Sequence, residues 1–205
     1  MKFQHLCSLT VVAFTGLFSS AALAQPAPTP ALQDTRAENT TSAAVSTDEA
    51  RPELNTLLPQ HRLAGKGRLV VWGFQVYDSR LWVLPGFKAN NLAANAFALE
   101  LAYLRDFSSK DIAERSIKEM RRSATISDEQ AKAWTTDMQR VIPDIKKGDR
   151  VMGLNRPGVG VQLLVNGKPS GEIRDAEFAR LFFGIWLSPK TSEPKLRAAL
   201  LAGAG

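Results

Sequence analysis

The segment from Phe97 to Arg122 constrains the fold most strongly, because it changes abruptly from a strand pattern to a helix pattern. Large apolar side chains occupy every second position from Phe97 to Tyr103, the spacing of a β-strand with one deeply buried face. Ser108 and Asp111 then stand three residues apart, as in a capping box that satisfies the free N–H groups at a helix start. A buried strand followed directly by a charged helix predicts a cleft between a sheet and that helix.

The N-terminal residues resemble an export signal followed by a linker. Residues 1–24 contain a basic start at Lys2, an apolar run from Leu6 to Phe18 and the small-residue sequence Ala22-Leu23-Ala24, which predicts a signal peptide cleaved after Ala24. Residues 25–52 are rich in Ala, Thr, Ser and Pro, and such a segment buries too little apolar surface to fold by itself. We therefore expect a periplasmic or secreted protein with a disordered linker at 25–52, one folded domain at 53–205, and no transmembrane segment after processing.

The domain contains both strand and helix patterns, which predicts an α+β fold. Leu69–Leu84 reads as one long strand that bends at Gly73, entered through a glycine-turned connection from Leu63 to Leu69. Three short strands over 150–173, with an Asn166-Gly167 turn, predict an antiparallel meander. The helix patterns lie at 108–120, 127–142 and 175–187, with Ser127 and Asp175 as caps, and Ser192 is expected to cap a last short helix.

The residues offer no recognised catalytic or metal-binding arrangement. Removal of the signal peptide leaves no cysteine and only His61 among the histidines, and neither a serine elbow nor a metal-ligand spacing accompanies that histidine. Gly153, Gly158 and Gly160 mimic a nucleotide loop, but strand patterns flank them on both sides, so we interpret them as turn residues. The basic residues behind the net charge of +6 are dispersed, which argues against a nucleic-acid partner. We expect no cofactor and no metal.

From about His61 to Leu201 the sequence resembles the chalcone isomerase-like proteins of bacteria. The motifs that carry the resemblance are, in order, GxGRLxxxGFxVYDxRLW, FALELxYLRDF, IAERSIKEM, PDIKKGDR, NGKPxGEI and FFGIWLSPKTSEPKLRAALL. The resemblance implies the chalcone isomerase fold: a large, curved antiparallel β-sheet with helices layered on one face and a ligand cleft between them.

The resemblance also implies that the catalytic hydroxyl groups of the plant isomerases are missing here. The positions of their strand threonine and of their tyrosine correspond to Trp72 and Phe107. The position of their asparagine corresponds to Glu114 or Arg115, and their last hydroxyl residue falls among Leu181 to Ile185. Arg62 stands where those enzymes carry an arginine. We therefore predict no catalytic residues, because the hydroxyl groups that would support general acid–base catalysis are absent here.

The leading hypothesis is a non-catalytic periplasmic protein that binds a small apolar or amphipathic ligand such as a fatty acid. Some relatives with the same fold hold a fatty-acid carboxylate with an arginine, so we expect Arg62 or Tyr77 at the polar end of the cleft. An isomerase or intramolecular lyase with an altered active site is one alternative, and a structural or interaction module with a filled cleft is another. The sequence leaves the oligomeric state open. The predicted ligand-binding residues are Arg62, Trp72, Tyr77, Phe97, Phe107 and Phe182.

Overall fold

A computed structural model describes residues 51–204 of the 205-residue chain, so the predicted signal peptide and nearly all of the predicted linker lie outside the described residues. Six strands form one antiparallel sheet in the order β1-β2-β3-β4-β5-β6. The predicted α+β class and the antiparallel sheet are confirmed. The strands are β1 (Arg62–Val71), β2 (Phe74–Val83), β3 (Phe97–Tyr103), β4 (Arg150–Arg156), β5 (Gly160–Val165) and β6 (Lys168–Ile173), and the helices are α1 (Pro52–Leu57), α2 (Ser109–Met120), α3 (Asp128–Val141), α4 (Ala176–Leu187) and α5 (Pro194–Leu200), with a 3₁₀ turn at Leu92–Ala94.

The first two strands form a hairpin, so the prediction of one long strand over Leu69–Leu84 is wrong. The expected connection at Leu63–Leu69 is instead part of β1, and Val71 pairs with Phe74 across a two-residue turn. Trp72 and Gly73 in that turn have φ of 48° and 81°, as a type I′ turn requires. The turn was missed because a tryptophan is typical of a strand, whereas Asn or Asp usually precedes the glycine of such turns.

The predicted helix starts are confirmed except for the last one. Ser108, Ser127 and Asp175 each accept a hydrogen bond from the backbone N–H three residues further on, which satisfies a donor that the helix itself leaves free. The expected cap at Ser192 is wrong. Helix α5 begins at Pro194 without a side-chain cap, because proline has no N–H group to satisfy and its fixed φ suits the first helical position.

Helices α2, α3 and α4 pack on one face of the sheet and form the larger core with it. Helix α4 is the most deeply buried of them, and the rings of Phe97 in β3 and Phe183 in α4 lie 4.7 Å apart. Gly153 lies inside β4 rather than in a turn, which corrects its interpretation above. A Cβ atom at that position would stand 3.2 Å from the Phe183 ring, so the glycine lets the helix approach the sheet closely.

The opposite face of the sheet is also covered, by the short helix α1. Leu54 and Leu58 pack there against Trp82 and Ala98, and this second apolar cluster is smaller than the first. Because β3 lies inside the sheet with a core on each side, six of its seven residues are buried.

A buried ion cluster joins α1 to the centre of this second face. Glu100 in β3 is fully buried and accepts two hydrogen bonds from Arg51, at 2.5 and 2.7 Å. Arg150 donates a third at 2.6 Å. Burial alone would raise the pKa of Glu100, but the hydrogen bonds and charges of Arg51 and Arg150 outweigh it and lower the pKa below its usual value. Glu100 is therefore ionised, and its arginine partners compensate the cost of burying that charge.

We predict that Glu100→Gln lowers the free energy of unfolding by roughly 3–5 kcal/mol, because it removes the fully buried negative charge that accepts hydrogen bonds from Arg51 and Arg150. The matched control is Glu114→Gln. Glu114 forms an exposed pair with Lys110 at 3.9 Å, and exposed pairs contribute about 0–1 kcal/mol. Urea denaturation of the three proteins measures both effects, and equal losses in the two variants would contradict a structural role for the cluster.

Candidate functional site

A cavity of about 460 Å³ lies between the sheet and helices α2 and α4, at the end of the sheet where the β1–β2 turn projects. Strands β1 to β3 supply one wall, and α2 and α4 supply the other. Its lining residues are Leu69, Val71, Trp72, Phe74, Val76, Tyr77, Leu101, Tyr103, Arg105, Phe107, Asp111, Ile112, Arg115, Ser116, Glu119, Ile142, Val151, Phe182, Ile185, Trp186, Ser192 and Glu193.

Aromatic rings in edge-to-face contact form much of the wall. The rings of Tyr77 and Tyr103 are 5.8 Å apart, and the ring of Phe107 lies 5.6 Å from that of Tyr103. On the helix side, Phe182 and Trp186 lie 5.4 Å apart. Such contacts hold the rings in fixed orientations, which gives the cavity a defined shape.

Two phenol groups place hydrogen-bond donors in this apolar setting. Trp186 donates from Nε1 to the Tyr77 hydroxyl oxygen at 2.9 Å, so the hydroxyl hydrogen of Tyr77 remains free to donate. Within residues 51–204, the Tyr103 hydroxyl has no hydrogen-bond partner. Both residues line the cavity, so each hydroxyl group can donate a hydrogen bond to an acceptor placed there.

Burial raises the pKa of both tyrosines above their usual range. For Tyr77 the hydrogen bond from Trp186 acts in the opposite direction but is the smaller effect, and for Tyr103 the neighbouring Tyr77 adds to the increase. Both groups are therefore neutral donors at physiological pH. Neither is suited to remove a proton from a substrate, because a general base needs a pKa near the working pH.

The charged residues that line the cavity with the two phenols have no excess of positive charge. Arg115 and Glu119 form an ion pair at 2.8 Å, and Glu119 is largely buried with its Oε2 atom lacking a hydrogen bond. Arg105 lies over the ring of Phe74 at 5.1 Å. With Asp111 and Glu193, the lining holds two arginines and three carboxylates. An anionic group thus finds favourable charge only beside a particular arginine, not throughout the cavity.

Four of the six predicted site residues line the cavity, namely Trp72, Tyr77, Phe107 and Phe182. Phe97 is fully buried against Phe87 and Phe183 instead. Arg62 lies at the opposite end of β1, where it pairs with Val83 and donates to the Gly203 carbonyl oxygen. Ten residues of strand span roughly 30 Å, so the expected position of Arg62 at the polar end of the cleft is corrected.

Several polar residues of the cavity lining were not among the predicted ligand-binding residues, including Tyr103, Arg105, Arg115 and Glu119. Tyr103 was counted only as part of the buried alternation of β3. The two arginines and Glu119 belong to a charged segment that is typical of an exposed helix surface. Tyr77 lies beside Tyr103 because β2 pairs with β3. The wrong prediction of a single strand over Leu69–Leu84 concealed this pairing.

The described part of the chain contains neither a metal-type cluster nor a membrane-spanning helix. Within residues 51–204, no three His, Cys, Asp or Glu side chains come together as metal ligands would. None of the helices described there combines the length and the apolar character that crossing a bilayer needs.

Comparison with known proteins identifies the family. A family model described as chalcone isomerase-like matches residues 40–202, which is well over half of the chain. The chain belongs to the chalcone isomerase-like family. This confirms the resemblance that its motifs indicated.

Two known proteins are similar to this chalcone isomerase-like protein. An uncharacterized protein of Haemophilus influenzae is 30% identical over 131 residues, so the match spans 63% of each chain, less than two thirds of that relative's length. A crystal structure of a fatty-acid binding protein from Arabidopsis thaliana superimposes with a TM-score of 0.54 at 13% identity, over 71% of this chain and 88% of the other. At that identity the similarity establishes the shared fold.

We predict that the two phenols resist ionisation in the folded protein. They are the chain's two tyrosines, so the ultraviolet absorbance of tyrosinate reports on this cavity alone. A raised folded-state pKa contributes stability below the unfolded pKa of about 10, and that stability is lost as the pH rises further. Absorbance should therefore increase only well above pH 10 and together with loss of circular dichroism. Normal titration near pH 10 in the folded protein would contradict the burial of the phenols.

Proposed function

We propose that this protein binds a small amphipathic molecule, such as a fatty acid, in the cavity without transforming it, and that it does so in the periplasm or outside the cell. The observation that carries the proposal is the pair of phenol donors, Tyr77 and Tyr103, whose hydroxyl groups have no acceptor among residues 51–204 and which stand beside aromatic and aliphatic side chains of the cavity.

The size and the walls of the cavity suit an apolar chain. A volume of about 460 Å³ falls within the range of roughly 300–1,000 Å³ that small-molecule sites occupy. Leu69 of β1, Ile112 of α2 and Phe182 of α4 present hydrocarbon surface, as does Phe107 between β3 and α2. Each buried methylene of a ligand contributes about 0.8 kcal/mol, so a chain of several carbons supplies most of the affinity.

The polar groups define where a head group would be held. A carboxyl, ester or ketone oxygen accepts from Tyr103, and Tyr77 supplies a second donor 5.8 Å away between ring centres. A carboxylate has Arg105 as its cation, because no carboxylate among residues 51–204 lies within ion-pair distance of that guanidinium. Arg115 is less available, since Glu119 already pairs with it. Charge-assisted hydrogen bonds from a guanidinium suit a carboxylate well.

Binding without catalysis is supported by the absence of the isomerases' hydroxyl residues and by the name of one protein with the same fold. Trp72 and Phe107, which line the cavity, stand where the resemblance implies hydroxyl residues in the isomerases. The raised pKa values keep both phenols as donors. The plant protein with the shared fold is named a fatty-acid binding protein. Export is supported by the signal-like features of residues 1–24, which lie outside the described residues.

We predict that Tyr103→Phe weakens the binding of a fluorescent fatty acid about 2- to 10-fold, because one neutral hydrogen bond contributes roughly 0.5–1.5 kcal/mol. The variant should leave the free energy of unfolding nearly unchanged, since the hydroxyl has no protein partner to lose. Fluorescence titration gives the affinity, and urea denaturation gives the stability.

Ser170→Ala is the matched control with the reverse pattern. The Ser170 hydroxyl donates to the Val141 carbonyl oxygen at 2.7 Å, away from the cavity lining. Its removal should lower stability by about 1 kcal/mol and leave fatty-acid affinity unchanged. Absence of saturable binding in the wild type would overturn the proposed function, and unchanged affinity in Tyr103→Phe would remove this phenol from the site.

A further inference from the structure

The tip of the β1–β2 hairpin concentrates exposed apolar surface. Among the residues that the structure describes, four large hydrophobic side chains are exposed: Val70 at 48%, Trp72 at 94%, Phe74 at 60% and Val159 at 42%. The first three lie on this one hairpin. Val159 stands in the β4–β5 turn, at the opposite end of the sheet. Apolar exposure gathered at one point of a surface marks an interaction site more often than scattered residues do.

Trp72 is an unusual residue for its position in the β1–β2 turn, whereas the β5–β6 turn has the usual asparagine. Asn166-Gly167 joins β5 to β6 with φ of 52° and 78°, and Trp72-Gly73 joins β1 to β2 with φ of 48° and 81°. Asparagine tolerates positive φ, whereas a bulky side chain there is disfavoured. Trp72 thus strains the turn and exposes its indole to water, and at 94% exposure its burial offsets little of either cost. A residue that is unfavourable for its local backbone conformation is expected at functional positions.

A cation accompanies the exposed rings. The guanidinium of Arg105 lies 5.1 Å from the centre of the Phe74 ring, and within residues 51–204 it has no carboxylate in ion-pair range. The neighbouring Arg68 differs, because Asp78 neutralises it through contacts of 2.6 and 2.9 Å. Tryptophan is enriched where the headgroups of a bilayer meet water, and an arginine beside it attracts anionic lipid phosphates.

We infer that the β1–β2 tip is a membrane-contact element, which inserts Trp72 and Phe74 among the headgroups of an anionic phospholipid bilayer with Arg105 on the phosphates. Trp72 and Phe74 also line the cavity, so a protein bound in this way presents its cavity to the membrane. That last consequence rests on the proposed function, whereas the contact itself does not.

A bilayer suits this surface better than a second copy of the chain does. The three exposed side chains at this hairpin tip can bury on the order of 500 Å² at most, below the roughly 800 Å² per partner that stable protein interfaces use. A narrow projecting tip needs no complementary surface in a fluid headgroup layer, because lipids rearrange around the inserted rings.

The tryptophans of the chain allow a direct test on the protein without its predicted signal peptide and with the whole folded domain. Trp82, Trp134 and Trp186 are buried, so solvent-sensitive emission comes from Trp72 alone. Vesicles of equal parts phosphatidylcholine and phosphatidylglycerol, without added fatty acid, should shift that emission to the blue. Brominated lipids should quench it, and pure phosphatidylcholine or high salt should weaken the effect because the phosphate contact is electrostatic.

Trp72→Asn separates membrane contact from folding. The substitution creates the Asn-Gly pair that the other hairpin uses, so the thermal midpoint should stay the same or rise. Co-sedimentation with the anionic vesicles should nevertheless weaken about tenfold or more, as the loss of a large inserted apolar side chain implies. Val159→Asn removes an exposed hydrophobic residue at the other end of the sheet and should not change vesicle binding.

Three results would overturn the inference: no emission shift with anionic vesicles, equal vesicle binding by Trp72→Asn and wild type, or a dimer in solution that Trp72→Asn dissociates. The last would assign the tip to a second copy of the chain. Since the vesicle assay contains no fatty acid and the fatty-acid titration contains no vesicles, failure of either proposal is seen separately.

Discussion

The double burial of strand β3 is the constraint on which the rest of the structure depends. Its odd-numbered residues from Phe97 to Tyr103 face the large helical core, and Ala98 and Glu100 face the smaller core under α1. An ionised carboxylate at the centre of that second face is tolerable only with cations beside it. Arg51 and Arg150 supply them. The same strand thus fixes the N-terminal helix on one face and delivers Tyr103 to the cavity on the other.

The cavity exists because packing against the sheet is uneven along the strands. Toward the middle of β4, Gly153 lets Phe183 approach and the core closes. Toward the β1–β2 turn, the buried part of α2 includes the polar residues Ser116 and Glu119, which line the cavity and do not interdigitate with aromatic rings as large apolar residues do. The space that remains is bounded by rings and contains two neutral phenol donors. That combination favours a ligand with an apolar chain and one acceptor group.

Local chemistry explains how much of this could be predicted from the sequence. Caps at Ser108, Ser127 and Asp175, and the Asn166-Gly167 hairpin, depend on residues a few positions apart and were predicted correctly. The β1–β2 hairpin was missed because Trp72 occupies a position where turn-forming residues are expected, and that error hid the pairing of Tyr77 with Tyr103. Arg62 was placed in the site by resemblance alone, yet the hairpin carries it to the far end of the sheet. Site positions that depend on strand pairing cannot be obtained from local patterns.

The central claim is that the space beside Tyr77 and Tyr103 is a ligand site rather than an imperfection of packing. Native mass spectrometry of the protein, purified without detergent, tests it most directly. The account predicts a folded protein that carries the extra mass of a small amphipathic molecule, which disappears on denaturation and returns after incubation with excess fatty acid. A folded protein whose mass equals that of the polypeptide alone, before and after that incubation, would contradict it.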